Sequence, residues 1–248
     1  MANPWRLFRF RSLNSRFWQG FENSQFYCNL IQNLNDPFDC KVSWKDSLLR
    51  ALSSSSVPPE RRELLKMVLA AFMEQGPLLE AGICCFSSTM DNTLMWSHYA
   101  DAHRGACLMY DIPAGYFSNK YEHPDSDGFF FVGGSRVYYS DNAFSDWLKT
   151  GNLNKPMMGF PVENTVSRIF CSKAKAWKHE QEWRLVTSTP GVLQFEPTHL
   201  TQVGFGLLTS DADRKRLAEV AKRNNPSVVL TQAVKSKSDD FKIEYVDV

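Results

Sequence analysis

Short stretches in which apolar and polar residues alternate occur along much of the chain, a pattern typical of β-strands with one buried face. Residues 5–11 alternate basic and apolar side chains, and residues 183–188 form a similar strand-like stretch. The apolar run 83–86 predicts a more deeply buried strand. Shorter stretches predict further strands near 26–28, 106–112, 137–139, 192–196, 200–206, 227–234 and 241–247.

Helical periodicity and end signals predict the helices. Residues 59–75 give the clearest one, because Pro59 suits a first helical turn and Gly76-Pro77 stops the segment. Other helices are predicted up to Phe21 and over 44–52, 93–102, 143–150, 162–175 and 211–223. Residues able to cap a first turn precede three of them: Ser12 or Asn14, Asp91 or Asn92, and Ser210 or Asp211.

The order of these elements mixes strands and helices without a regular βαβ rhythm, which indicates an α+β fold. One domain covering 1–248 is expected, with a helical insertion near 41–80 between two strand-rich parts. Residues 113–135, rich in Pro, Gly and Asp, are predicted to be mainly loop.

Composition narrows the classes of partner. The net charge of +1 argues against tight binding of duplex DNA through phosphates, and no apolar run approaches the roughly 20 residues of a membrane span. The six cysteines include no Cys-x-x-Cys pair, so no zinc site is expected. We interpret them as buried thiols in a reducing cytoplasm. The sequence therefore predicts no bound metal ion.

Two carboxylates near residue 180 are the first candidate chemistry. Glu180 and Glu182 are two apart at the start of a predicted strand, so both side chains are expected on one face. When two carboxylates lie close together, repulsion raises the pKa of one and the other stays ionised. Such a pair suits a site that needs one proton carrier and one anion. The alternative is an edge strand in solvent whose acids pair with Lys178 and Arg184.

Other catalytic patterns are weak. The chain contains no phosphate-binding glycine loop and no Gly-x-Ser-x-Gly motif. His98 and His103 are five residues apart, a step that does not place them on one helical face. A metal-independent ribonuclease using His98 or His103 with Glu182 is retained as a third hypothesis.

Five segments carry a resemblance to a bacterial family described as a domain of unknown function: Leu7-Phe-Arg-Phe-Arg11, Leu34-Asn-Asp-Pro-Phe-Asp39, Cys85-Phe-Ser-Ser, Leu94-Met-Trp-Ser-His-Tyr-Ala100 and Glu180-Gln-Glu-Trp-Arg184. That family in turn is similar to ADP-ribosyltransferases. The similarity rests on an ordered series of an arginine, a serine and a Glu-x-Glu pair. This resemblance implies a split β-sandwich and a reaction with NAD.

The resemblance also implies roles for particular residues. Glu182 would stabilise the positively charged ribose, and Glu180 would position or deprotonate the acceptor. Arg9 would hold a phosphate or ribose of NAD, and Ser87 would hold the ribose and orient Glu182. Three aromatic side chains would stack on nicotinamide or on an acceptor base: Trp96, Tyr99 and Trp177. The second motif here is Phe-Ser-Ser, which differs from the Ser-Thr-Ser of well-known transferases.

The same resemblance implies a cytoplasmic toxin or phage-defence effector, with a neutralising antitoxin as partner. The expected acceptor of ADP-ribose is a macromolecule, either RNA or protein. Single-stranded RNA is proposed because unpaired bases can stack on the many aromatic side chains and because two basic clusters occur, at 173–178 and 214–216. The alternative is that both clusters are solvated helix faces.

The alternative to an enzyme is a binding module on a degenerate transferase-like fold. In such a module Asn35, Asp36 and Asp39 only stabilise their loop. Each candidate residue also has a structural alternative: Arg9 pairs with Asp36 or Asp39, Ser87 caps a turn, and Trp96 and Tyr99 belong to the core.

Overall fold

The computed structural model describes residues 3–40, 44–75, 81–150 and 170–248. Its α-helices are α1 Ser15–Glu22, α2 Trp44–Ser53, α3 Pro59–Gln75, α4 Thr93–Tyr99, α5 Tyr116–Lys120, α6 Ala143–Thr150 and α7 Asp211–Asn224. Its strands are β1 Trp5–Arg11, β2 Gln25–Leu30, β3 Gly82–Ser87, β4 Ala106–Ile112, β5 Phe131–Arg136, β6 Tyr138–Tyr139, β7 Ser172–Lys173, β8 Glu182–Thr187, β9 Gly191–Gln194, β10 Leu200–Phe205, β11 Val229–Lys235 and β12 Ile243–Asp247. The α+β fold class is therefore confirmed.

The large sheet consists of two halves. In the first half, which we call the β1 half, the order is β12-β11-β10-β4-β1. In the second, the β3 half, β8 lies between β5 and β3, and β2 and β9 continue from β3. The halves meet where β1 runs beside β3, with Phe8 opposite Ser87. This junction lies close to Arg9 and to the strand that carries Glu182, because Ser87 is also opposite Glu182.

One apolar core takes residues from both halves. Leu7 and Leu108 contribute from the β1 half, and Phe26, Phe86 and Leu185 contribute from the β3 half. Residues of α1 and α7 complete this cluster. Burial of these side chains is the main favourable term for the fold, so the two halves are held by shared packing as well as by backbone pairing.

Two smaller clusters place the remaining helices. Helices α2, α3 and α6 pack near β3 and β8 through residues such as Leu48, Leu65 and Leu148. Helix α4 packs against β1, β11 and β12 through Trp96. The helical excursion near 41–80 is thus confirmed over 44–53 and 59–75. None of the helices in the described ranges combines the length and the apolar character needed to cross a membrane.

Several boundaries differ from the sequence prediction. The loop predicted over 113–135 contains α5 and all of β5 except its last residue, Arg136. The helix predicted over 93–102 ends at Tyr99, because Asp101, Ala102 and His103 have positive φ angles of 48°, 48° and 67°. Of the helix predicted over 162–175, residues 162–169 lie outside the described ranges, and Ser172–Lys173 is a short strand. The Gly76-Pro77 stop also lies outside them.

Candidate functional site

A single cleft of about 840 Å³ gathers most of the sequence-predicted site residues. Its walls include Arg9, Ser87, Tyr99, Glu180 and Glu182. The two sheet halves both contribute, because Arg9 comes from β1, while Ser87 ends β3 and Glu182 begins β8. A volume of this size is within the range of pockets that bind small molecules and cofactors.

Five buried ionic side chains lie together at one end of the cleft, and we call them the carboxylate network: Asp39, Lys173, Glu180, Glu182 and Arg184. The first four line the cleft, and Arg184 lies behind them. Lys173 Nζ lies 2.5 Å from Glu180 Oε2, 3.2 Å from Glu182 Oε2 and 3.4 Å from Asp39 Oδ2. Arg184 donates to both oxygens of Asp39, at 2.8 and 2.6 Å, and to both oxygens of Glu182, at 2.7 and 2.9 Å.

The two glutamates converge as predicted, but by a different backbone path. Glu180 ends the 3₁₀ helix Lys175–Glu180, and Glu182 is the first residue of β8. Between them Gln181 is left-handed, with φ 46° and ψ 48°. This turn directs both carboxylates to Lys173, so the expected strand alternation is wrong for Glu180.

The alternative of an edge strand in solvent is also wrong. Strand β8 has a neighbour on each side, β3 and β5. Glu180 and Glu182 are buried, with 2% and 5% of their surface exposed. Arg184 does pair with Glu182, as that alternative expected, but the second cation is the buried Lys173 and not Lys178.

The electrostatics keep Glu182 ionised. Burial acts to raise its pKa, but the charge and hydrogen bonds of Arg184, followed by the charge of Lys173, outweigh burial and lower the pKa to about 2. Burial likewise acts to lower the pKa of Lys173, and Glu182 and Glu180 outweigh it and raise that pKa. Three carboxylates face two cations, so the fully ionised network carries one net negative charge.

Hydroxyl groups fix the backbone and side chains around the glutamates. Ser87 Oγ donates to the carbonyl of Glu180 at 2.8 Å and accepts from the backbone N–H of Thr89 at 3.3 Å. Ser87 therefore positions the Glu180 segment and also caps the following turn, as the alternative for this residue expected. Tyr99 donates its hydroxyl to Glu180 and accepts from Asn35 Nδ2 at 2.7 Å.

The other end of the cleft is basic, and we call it the arginine end. Arg9 and Arg11 both line the cleft and lie on one face of β1. The Arg9 guanidinium lies 5.5 Å from the Phe26 ring centre and 5.3 Å from that of Phe86. Repulsion by Arg9, with burial second, lowers the pKa of Arg11 to about 10.

Neither Arg9 nor Arg11 forms an ion pair within the part of the chain that the structure describes. The alternative in which Arg9 pairs with Asp36 or Asp39 is therefore wrong. Asp39 binds Arg184 and Lys173, and Asp36 accepts from the backbone N–H of Phe38 at 2.9 Å. Two half-buried cations without a carboxylate are suited to an anionic ligand.

The predicted aromatic contacts are distributed unevenly. Tyr99 lines the cleft. Trp96 lies outside the lining, is fully buried, and donates its Nε1–H to Tyr245 Oη at 2.9 Å. The prediction that Trp96 contacts the cofactor is therefore wrong, and this residue belongs to the core. Trp177 is also outside the lining and stacks instead on Lys173, whose Nζ lies 4.9 Å from the ring centre.

The two histidines of the ribonuclease hypothesis do not reach Glu182. His98 is exposed on α4, and His103 stacks on Trp96 at 6.2 Å and contacts Ser97 Oγ at 3.2 Å. Neither residue lines the cleft. This arrangement provides no pairing of a histidine with the carboxylate network.

Sequence reasoning missed Lys173, Arg184 and Arg11 as site residues and assigned Asp39 only to a loop brace. Lys173 was placed in a basic surface cluster, whereas its side chain is 3% exposed. The one local signal was the spacing of Glu182 and Arg184, which places both on the same face of a strand. Asp39 is 145 positions from Arg184, so no local pattern connects them.

The fold and cleft define the chain as an α+β protein with a charge-divided polar cleft. Residues 95–185 match a family described as a protein of unknown function (DUF2971). The matched segment begins in α4 and ends in β8, so it includes Tyr99, Lys173, Glu180 and Glu182, but not the arginine end. No curated protein matched the chain, and no solved structure matched it. Resemblance to a family of unknown function is thus confirmed over this segment.

Proposed function

We propose that the protein is an NAD-dependent ADP-ribosyltransferase that uses this cleft. The observation that carries the proposal is the division of one cleft between two arginines without carboxylate partners and a network with one net negative charge. A dinucleotide has matching chemistry, because its diphosphate is anionic and its ribose becomes positive as the nicotinamide bond breaks. The order of Arg9, Ser87 and the Glu180/Glu182 pair along the sequence, in which the chain resembles ADP-ribosyltransferases, supports the same proposal.

In the proposed reaction the bond between the ribose carbon and the nicotinamide nitrogen breaks, and its electron pair leaves with neutral nicotinamide. An acceptor nucleophile supplies the electron pair of the new bond and loses a proton. Glu182, ionised by Arg184 and Lys173, stabilises the positive ribose through its charge. Glu180, which lines the cleft beside Tyr99, takes the acceptor's proton.

The experiment incubates the purified protein with NAD and quantifies released nicotinamide. In this assay water is the acceptor. We expect Glu182→Gln and Glu180→Gln each to lower release on the order of 10²-fold, because the first removes the charge that stabilises the ribose and the second removes the base that takes the proton from water. Glu219→Gln, at an exposed position of α7, is the matched control and keeps full activity. Equal release by folded Glu182→Gln, folded Glu180→Gln and the control contradicts the proposal.

A cytoplasmic toxin or phage-defence role, with a protein antitoxin, extends the proposal to the cell. If cleavage of NAD or modification of an acceptor harms the host, induced expression of the chain arrests growth. Glu182→Gln then relieves the arrest at equal protein levels. Growth arrest that persists with this variant would assign the toxicity to something other than the reaction.

A second candidate is a binding module for phosphate-bearing ligands that performs no chemistry. The two-point contact between Arg184 and Glu182 favours it, because both oxygens of this carboxylate already accept hydrogen bonds inside the protein. The two candidates differ in one measurement. A module binds NAD in calorimetry without any release of nicotinamide.

A further inference from the structure

The rim of the cleft includes a strip of side chains that the proposed reaction does not use. Gln25, Tyr27 and Asn29 alternate along β2, so they share one face of the strand, and all three line the cleft. Tyr27 is 57% exposed although it is a large aromatic residue. An exposed aromatic ring between two amides provides a flat surface with hydrogen-bonding groups on both sides.

The neighbouring strand extends this surface, which we call the Tyr27 strip. Val192 of β9 lies opposite Tyr27, lines the cleft and is 40% exposed. Gln25 Nε2 donates to Gln194 Oε1 at 3.1 Å, which ties β2 to β9 at one end of the strip. The ring of Tyr27 is therefore presented by paired strands and not by a loop.

The cleft that the Tyr27 strip lines contains one further arginine outside the arginine end. Arg16 of α1 is exposed, lines the cleft and forms no ion pair in the described ranges. The carboxylates among the described lining residues are Asp39, Glu180 and Glu182, and all belong to the carboxylate network. Arg16 and the Tyr27 strip thus share a cleft whose described lining carboxylates all belong to the carboxylate network.

We propose that the Tyr27 strip and Arg16 bind an unpaired nucleic-acid strand and present it to the cleft as the acceptor. An unpaired base offers a π face to Tyr27 and polar edges to Gln25 and Asn29, and its phosphate pairs with Arg16. A duplex hides these base faces, and an acidic peptide lacks a base to stack. As acceptor binding the inference rests on the proposed function, but strand binding itself is measured without NAD.

The test measures fluorescence anisotropy of labelled single strands of about ten nucleotides, one of RNA and one of DNA, with the full chain. We expect binding of at least one strand. Tyr27→Ala should weaken it about tenfold, because stacking on one aromatic ring contributes a factor of this size. Tyr27→Phe keeps the ring and should bind as the unchanged protein does.

Arg16→Gln should weaken binding and lower the slope of log affinity against log salt by about 0.7, the share of one phosphate contact on a single strand. Arg223→Gln, at an exposed position of α7 outside the cleft lining, is its control and should change neither. RNA and DNA bound equally indicate recognition through bases and phosphates. Preference for RNA indicates a contact to the 2′-hydroxyl.

Outcomes separate this inference from the proposed function. Absence of binding to both strands, or binding that Tyr27→Ala and Arg16→Gln leave unchanged, overturns the inference even if nicotinamide is released. The inference is also overturned if an acidic peptide binds more tightly than both strands and is weakened by Tyr27→Ala and Arg16→Gln. Strand binding that follows the expected pattern supports the inference, and loss of nicotinamide release alone then counts only against the transferase.

Discussion

Arg184 and Glu182 belong to the same strand, and yet the guanidinium of one binds both carboxylate oxygens of the other, at 2.7 and 2.9 Å. Positions two apart on a strand share a face, so the pair forms within β8 itself. Arg184 also binds Asp39 from a distant loop and is fully buried. The pair therefore fixes the carboxylate network to the centre of the β3 half.

Arg184→Ala should lower the free energy of unfolding by about 3–5 kcal/mol, because Asp39 and Glu182 stay buried but lose the cation that binds both of them. Urea denaturation followed by circular dichroism measures the change. Lys66→Ala, which breaks an exposed pair with Glu63, should leave the midpoint unchanged. Equal midpoints for the two variants would show that the network contributes no stability.

The network should also make the protein sensitive to acid. The pKa of Glu182 is lowered from 4.5 to about 2 in the folded state, so its contribution to stability is complete above the unfolded value. That contribution is lost as the pH falls from about 5 towards 2. The free energy of unfolding, measured in urea across this range, should fall less steeply for Glu182→Gln. A parallel fall in both proteins contradicts this assignment.

Arg9 is expected to serve a ligand and not the fold. Arg9→Ala should weaken the binding of NAD about tenfold or more in calorimetry, since a charge-assisted contact to phosphate is lost. The melting temperature should change little, because no carboxylate is left unpaired by the change. Arg6→Ala removes a neighbouring cation that pairs with Asp111 at 2.8 Å outside the cleft lining, and it should retain affinity.

A drop in melting temperature for Arg9→Ala with unchanged NAD affinity would reverse this assignment. It would make the contacts with Phe26 and Phe86 the main role of the guanidinium.

Trp96 and Trp177 should respond differently to truncation. Trp96→Ala removes a fully buried ring and should cost about 3–5 kcal/mol of folding stability. Trp177→Ala removes a half-buried ring that stacks on Lys173 and should cost much less. Chemical denaturation compares the two, and similar losses would place Trp177 in the core as well.

Local signals explain which elements were predictable. The helix starts were foreseen because a side chain beside the first turn accepts from its N–H groups, and Asn14, Asn92 and Ser210 do so here. Strand β5 was missed because its Gly133-Gly134 suggests a loop, whereas pairing with β8 holds it extended. The conformation of such a segment depends on its pairing with a distant strand, which cannot be predicted from the local sequence.

The site was predictable to a similar extent. Glu180 and Glu182 could be selected because their spacing is short, and Arg9 because the resemblance to transferases assigns an arginine to the first strand. The location of Lys173 depends on a short parallel pairing of β7 with β6, which lies more than 30 residues earlier in the sequence. Its exclusion from solvent could not be foreseen, because a surface lysine and a buried one have the same local sequence signal.

The junction of Phe8 with Ser87 has a consequence for any ligand that fills the cleft. Arg9 belongs to the β1 half and Glu182 to the β3 half, so a molecule that touches both ends of the cleft links the two halves of the sheet. Binding energy then adds to the shared core as a third connection between them. Hydrogen exchange should slow on both sides of the junction when such a ligand binds, but on one side only when a fragment fills a single end.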